Sequence, residues 1–290
     1  MLNFTDYLHE AVLSSRLEDF LNKFPFADHK VIVFDVETTG INPRLPHVQI
    51  TELSAITVDL SSGELGKPFI KNIKLNPQTV LKVKEEEKNP PAESGKIFSL
   101  KKILDMQSYN PDLAHHDEVN AVVEFKDFVE SESNAIMVAH NATFDMGMIN
   151  GLLQREKLSR IRVPVIDTLK LAKVFLEPVL KMLAELGDDA GIQLLNKLKD
   201  SKNIVRTRLS DLGNAFDVGT AQSHVAINDV MQTAILLKKM AEFIKSHINK
   251  LDSEKMNAAF VDSKKNWNKF VRWVNLQRRG VKIKKDKKTS

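Results

Sequence analysis

The run Lys30-Val-Ile-Val-Phe-Asp-Val-Glu37 is apolar on both faces until it nears its end. Side chains alternate along a strand, so an unbroken apolar run suits a central strand covered on both sides. That restricts the chain to a layered α/β arrangement, with a sheet sandwiched between helices. The same alternation sets Val31, Val33, Asp35 and Glu37 on one face. Two carboxylates therefore stand together at the end of a strand built for burial. Thr38-Thr-Gly40 then turns the chain away.

The neighbouring segments fill out the sheet. Residues 49–60 and 66–75 carry strand patterning and are joined by the polar turn Ser61-Ser-Gly-Glu64, which predicts a meander. Further on come a helix over 117–129, a short buried strand over 135–139 and a helix over 144–153. Pro164-Val-Ile166 reads as a last strand, with Asp167 capping the helix that follows. Residues 168–216 read as mostly helical, and 225–248 as a strongly amphipathic helix. Between the meander and the later units, residues 76–112 hold Pro77, Pro90, Pro91 and Pro111 in a Lys/Glu-rich stretch. This predicts a long inserted loop with at most one short helix, bordering the cleft. No internal repeat is visible.

Two more acids break an apolar pattern. In His140-Asn-Ala-Thr-Phe-Asp145, the helical neighbours of Asp145 at three, four, seven and eight residues on are Met148, Ile149, Leu152 and Leu153. This carboxylate points toward the sheet. Asp229 lies in the first turn of the last long helix, at the border of a stripe read as Ile227, Val230, Met231, Ala234, Leu237, Ala241 and Ile244. Singly, each acid has an ordinary explanation: a solvated strand end, a helix cap, a partner for a helix dipole. Together they are four carboxylates on buried faces, with no Lys or Arg within three residues of any of them. Buried charges need compensation, and an all-oxygen set suits Mg²⁺ or Mn²⁺ better than zinc. Two such ions are the usual apparatus for phosphodiester hydrolysis. His224 lies five residues before Asp229, about 140° round a helix, so it belongs on the preceding loop, with Ser223 as the cap. A histidine titrating near ~6.5 beside a metal cluster can take a proton from water.

These pieces, Val33-Phe-Asp-Val-Glu-Thr-Thr-Gly40, Val138-Ala-His-Asn-Ala-Thr-Phe-Asp145 and His224-Val-Ala-Ile-Asn-Asp229, resemble the His-type DEDD 3′→5′ exonucleases in sequence and order. The likeness is nearest to proofreading domains of bacterial replicative polymerases and to ribonuclease T, and covers roughly residues 28–245. It implies a ribonuclease H-like mixed sheet, part meander and part parallel, flanked by helices. It also implies that Asp35, Glu37, Asp145 and Asp229 hold two Mg²⁺ or Mn²⁺ ions, and that His224 is the general base. Thr38, Thr39 and Phe144 would border the terminal nucleotide, and the product would be a nucleoside 5′-monophosphate. The implied partners are single-stranded DNA or RNA 3′ ends and a DNA polymerase or other replication or repair protein. The 76–112 insertion departs from the family's shorter connection there. The alternative is a non-catalytic nucleic-acid-binding or polymerase-docking module of the same fold, although all five catalytic positions are intact.

The flanks read as additions to the 28–248 unit. Residues 1–27 carry helical spacing, and 249–290 a helix followed by a basic tail. Residues 250–290 hold 13 basic and 4 acidic side chains, a net of +9, against 29 basic and 34 acidic in the remainder, a net of −5. Such a tail fits a polyanion or serves solubility. Phe260, Trp267, Phe270 and Val274 recur at helical spacing, whereas 277–290 is seven basic residues against one acid, with little to bury. The absence of cysteine excludes disulfides and thiolate chemistry. No apolar run is long enough to span a membrane, and no secretory signal is evident, so a cytoplasmic location is expected.

Overall fold

The structure, a computed structural model, describes residues 30–250 apart from 43, 46, 60, 61, 63, 90–115, 133–135, 164, 220–224, 248 and 249. The expected N-terminal helix over 1–27, most of the 76–112 insertion, His224 and Ser223, and the tail from 251 onward lie outside the described residues.

Among the described residues the sheet has five strands in the order β3-β2-β1-β4-β5: β1 Lys30–Thr38, β2 Ile50–Asp59, β3 Phe69–Asn72, β4 Ile136–Ala139 and β5 Val165–Asp167. The meander β1-β2-β3 is antiparallel, while β4 and β5 run parallel to β1. This is the ribonuclease H-like mixed sheet, and β1 sits at its centre. β3 is shorter than the expected 66–75, since Pro68 has no N–H to give a ladder. Leu65 bridges antiparallel to Val58 of β2, and Ile73 bridges parallel to His116.

Each face of β1 has its own core. Ile32, Phe34 and Val36 pack with Val122 and Phe125 of α2 (Glu118–Ser131) and with Ile149 and Leu153 of α3 (Ala142–Arg155). Phe125 meets Phe34 and Phe69 at ring-centroid distances of 5.8 and 5.7 Å. On the other face Val31 and Val33 pack beneath α5 (Glu177–Glu185), α6 (Asp189–Leu198), α7 (Leu209–Ala215) and α8 (Ala226–His247). A short helix α4 (Thr168–Leu171) leads into α5 through a π-helical turn, Ala172–Leu176. Asp167 caps α4 as expected, accepting from the backbone of Leu169 and Lys170 at 3.1 and 3.3 Å. The buried stripe of α8 includes Val230, Ala234, Leu237, Met240 and Ile244; Ala241 is exposed, because the contact line drifts onto Met240.

The first third of the insertion is a 12-residue helix, α1 (Pro77–Lys88). Asn76 caps it, accepting from Gln78 N at 2.9 Å, and Pro77 occupies the first turn, where a missing N–H costs nothing. Thr79 and Val83 are the buried side that holds it to the body.

Candidate active site

One face of the sheet changes character within a single residue step. Register pairs Val31 with Val58 and Val33 with Ile56, then Asp35 with Ser54 and Glu37 with Glu52. The first two pairs belong to the apolar core; the next two are polar. β1 ends here with a register shift between Glu37 and Thr38. α8 covers the apolar half with Val230 and Ala234, and its first turn brings Asp229 to the polar half. Carboxylate oxygens of Asp35, Glu37 and Asp229 lie within 4.8 Å of one another.

Asp145 reaches the same strand end from α3. It is 2% exposed, its Oδ1 accepts from Val36 N at 3.3 Å, and its Oδ2 is buried with no hydrogen-bond partner among the described residues. Asn141, which precedes α3, takes the left-handed conformation (φ 71°) that lets the chain turn directly from β4 into the helix. Asp167 braces this corner, accepting from Asn141 N at 3.1 Å as well as capping α4. Asp145 stands outside the 4.8 Å trio, though close enough to act on it electrically.

Burial holds the Asp35 carboxyl well above the ordinary carboxylate range, and the neighbouring charges of Asp145, Glu37 and Asp229 push it further up. Burial likewise raises Asp145, against the N–H of Val36, which works to lower it. Such a cluster is costly while its charges face one another, and a divalent cation removes the cost. The all-oxygen donor set, the mutual repulsion on Asp35 and the orphaned Asp145 Oδ2 all fit a hard cation such as Mg²⁺ or Mn²⁺. A raised carboxylate is not by itself diagnostic. Burial lifts Glu118 to about 7, yet its Oε1 simply accepts from Ile50 N at 2.8 Å at the start of β2, from the helix on the other face of the sheet.

The other expected site residues divide. Thr38 and Thr39 are buried in the turn after β1: Thr38 Oγ1 donates to Gly40 O at 2.7 Å, and Thr39 Oγ1 accepts from Gln49 N at 2.9 Å. Phe144 is half-buried and packs against the core on the α3 side. His224 lies outside the described residues, immediately before the described start of α8. His140 is no substitute for it. Burial lowers its pKa to about 4, and its Nδ1 is engaged with Thr168 Oγ1 at 2.9 Å.

One residue at this end of the sheet escaped the sequence reading. Glu52 is 2% exposed, the third residue of β2, and stands directly opposite Glu37. Its signal was a lone carboxylate within Ile50-Thr-Glu-Leu-Ser-Ala-Ile56, the same kind of break that marked Asp35. On the far side of α3, a cavity of about 570 Å³ is bordered by Arg44, Arg160 and Lys170.

Residues 32–237 match the exonuclease family RNase T. PolC-type DNA polymerase III of Halalkalibacterium halodurans is 32% identical over 219 residues, which are 75% of this chain and 12% of the polymerase. The PolC-type enzyme of Bacillus subtilis is 33% identical over 214 residues, 72% of this chain and 11% of the polymerase. The chain thus spans about an eighth of the length of these relatives. E. coli exonuclease I, in a crystal structure with a dA16 oligonucleotide, superposes with a TM-score of 0.51 at 16% identity, over 76% of this chain and 44% of that one. That likeness concerns the fold.

Proposed function

Because the chain belongs to the RNase T exonuclease family, we propose that it is a 3′→5′ exonuclease acting on single-stranded 3′ ends of DNA and releasing nucleoside 5′-monophosphates. The observation that carries this reading is the gathering of Asp35, Glu37 and Asp229 within 4.8 Å at the end of β1, with buried Asp145 beside them. Exonuclease I has been crystallised with dA16 and dT13 oligonucleotides, and the PolC-type relatives are DNA polymerases, which supports DNA as the substrate class. Arg44, Arg160 and Lys170 on the rim of the cavity beside α3 suit a polyanion passing this edge.

Asp35, Glu37, Asp145 and Asp229 would hold two Mg²⁺ or Mn²⁺ ions. When bound, such ions activate the attacking water and neutralise charge on the scissile phosphate and the leaving 3′ oxygen. The chain's own residues do the rest. His224 accepts the proton of the attacking water, a role to which an imidazole is suited at neutral pH. Asp167, holding Asn141 N, keeps the corner between β4 and α3 rigid, while Asp145 ties α3 to β1 through Val36 N. Phe144 and the turn at Thr38 and Thr39 border the terminal nucleotide; the threonine hydroxyls, already engaged in the turn, shape this wall rather than reach out from it.

The test is digestion of matched DNA and RNA oligonucleotides, labelled at either end, with and without Mn²⁺. A 3′ label should appear at once as mononucleotide and a 5′ label as a descending ladder, with DNA cut faster. Asp145→Asn should abolish both while still binding the strand. Absence of mononucleotide from the wild-type chain, or equal hydrolysis by Asp145→Asn, overturns the reading, and strand binding without hydrolysis would favour the non-catalytic module.

A further inference from the structure

We infer that Glu52 is a positioning residue of this site: from β2 it anchors the first turn of α8 and so sets where Asp229 stands relative to Asp35 and Glu37. The inference rests on the functional reading above but concerns a residue outside the three motifs and outside the 4.8 Å cluster.

A carboxylate buried at this depth costs several kcal/mol unless polar groups answer it. Two sets of groups do so. Ser54 Oγ donates to Glu52 Oε1 at 3.1 Å, and the backbone N–H groups of Ala226 and Ile227 stabilise the carboxylate as donors. Those two amides matter because a helix's first N–H groups have no partner within the helix. In α8, Asn228 N and Asp229 N both turn back to Val225 O, at 2.8 and 3.1 Å. Ala226 and Ile227 are left to find an acceptor elsewhere, and it comes from a strand rather than from the residue before the helix. An anion at a helix N-terminus is also favoured by the helix dipole. The hold is not saturated, since Oε2 makes no hydrogen bond of full geometry.

Further along α8 the side chains of Val230, Ala234 and Leu237 pack into the apolar core on this face. Apolar packing is non-directional and tolerates sliding of the helix along its axis. A carboxylate gripping two adjacent amides does not. Asp229 lies two residues beyond Ile227 in that same turn, so a shift of the turn moves its carboxylate directly. Glu52 itself is the cross-strand partner of Glu37, and the anchor is therefore referenced to the strand that bears the other two acids. This is the relation of an outer-shell residue to a metal ligand, where removal of the partner typically weakens metal affinity by ~10–100-fold.

The experiment compares the full chain with Glu52→Gln and Glu52→Asp. Glutamine keeps the length and an acceptor oxygen without the charge; aspartate keeps the charge but is shorter by one methylene. The readouts are hydrogen exchange at the amides of Ala226 and Ile227 in EDTA, and Mn²⁺ affinity by calorimetry. Glu52→Asp should exchange faster at both amides and bind Mn²⁺ ~10–100-fold more weakly, while Glu52→Gln stays near wild type on both. Wild-type behaviour of Glu52→Asp overturns the inference. So does a Glu52→Gln variant that loses Mn²⁺ affinity with both amides still protected, because charge rather than reach would then be the cause. Should Glu52→Asp fail to fold, loss of amide protection in Glu52→Gln overturns it. A wild-type chain that binds no Mn²⁺ would sink the functional reading, while the exchange arm would still decide whether Glu52 holds α8.

Discussion

Replacing Asp35 by Asn in the metal-free protein should raise its stability at neutral pH, the reverse of the usual effect of altering a buried polar residue. Carboxylate oxygens of Asp35, Glu37 and Asp229 lie within 4.8 Å of one another. At an effective dielectric of about 20, two unit charges at that distance repel by about 3 kcal/mol. Proton uptake limits the cost, because Asp35 holds its proton well above the usual carboxylate range. A net relief of roughly 1–3 kcal/mol follows near pH 7.5, bounded above by that repulsion. For a domain of this size that corresponds to about 2–10 °C in melting temperature. The sign with pH is fixed by the direction of the shift. A carboxyl whose folded pKa is raised contributes stability that is fully present below its unfolded value of 3.8 and is lost as pH climbs through the folded value. The wild-type protein in EDTA should therefore lose stability from about pH 4 toward neutrality, and the Asn variant should lose less. Asp145 and Glu52 are raised too, so some slope persists in the variant. Mn²⁺ should reverse the ranking, since binding at a hundred times Kd stabilises by about 2.7 kcal/mol and the variant has surrendered a ligand. Melting curves across pH 4.5–8, in EDTA and in Mn²⁺, measure all of this. A variant that melts at or below wild type in EDTA at pH 7.5 refutes the reasoning.

Four further outcomes are expected. His224→Ala should lose ~10²–10⁴-fold in kcat and alter the acidic limb of the pH–rate profile, with Mn²⁺ affinity by calorimetry unchanged; a full-rate variant would mean that another group takes the proton. Gly191→Ala should cost about 1–3 kcal/mol by overpacking, because its new Cβ would lie 2.4 Å from Leu183 Cβ where α6 meets α5. Gly213→Ala should cost less, since the atom it meets first is the amide nitrogen of Gln232 at 2.1 Å, at the end of a side chain that can move; urea titrations of the two variants compare them. Removing residues 277–290 should weaken oligonucleotide binding and flatten its log-salt slope by ~0.7 for each phosphate that the tail no longer neutralises, with kcat unaltered; an unchanged slope would assign the tail to something other than the substrate.

The elements that the sequence placed well are those with strong local periodicity. β1, α3 and α8 begin and end within a few residues of the expected positions, because an apolar run of period two or 3.6 is written into consecutive residues. Helix α1 is hidden by its composition. Its Lys/Glu-rich turns look like loop, and the features that make it a helix are a cap at Asn76 and two buried anchors, Thr79 and Val83. The apolar helical neighbours of Asp145 give it an inward direction, and it is 2% exposed.

What the sequence determined by itself was which residues violate their surroundings. Asp35, Glu37, Asp145 and Asp229 sit where alternation or helical spacing calls for apolar side chains, and that conflict can be read from a few residues on either side. Tertiary structure decided how they are sorted: Asp35, Glu37 and Asp229 face one another, whereas Asp145 is held against Val36 N. It also decided that Asp167 braces the turn into α3 besides capping α4, and that Glu52 is brought opposite Glu37. None of these is local. They depend on the pairing register of β1 with β2 and on where the ends of α3 and α8 come to rest on the sheet. Hydrophobic periodicity records which face of an element is buried, but not which residue of a distant element it will meet.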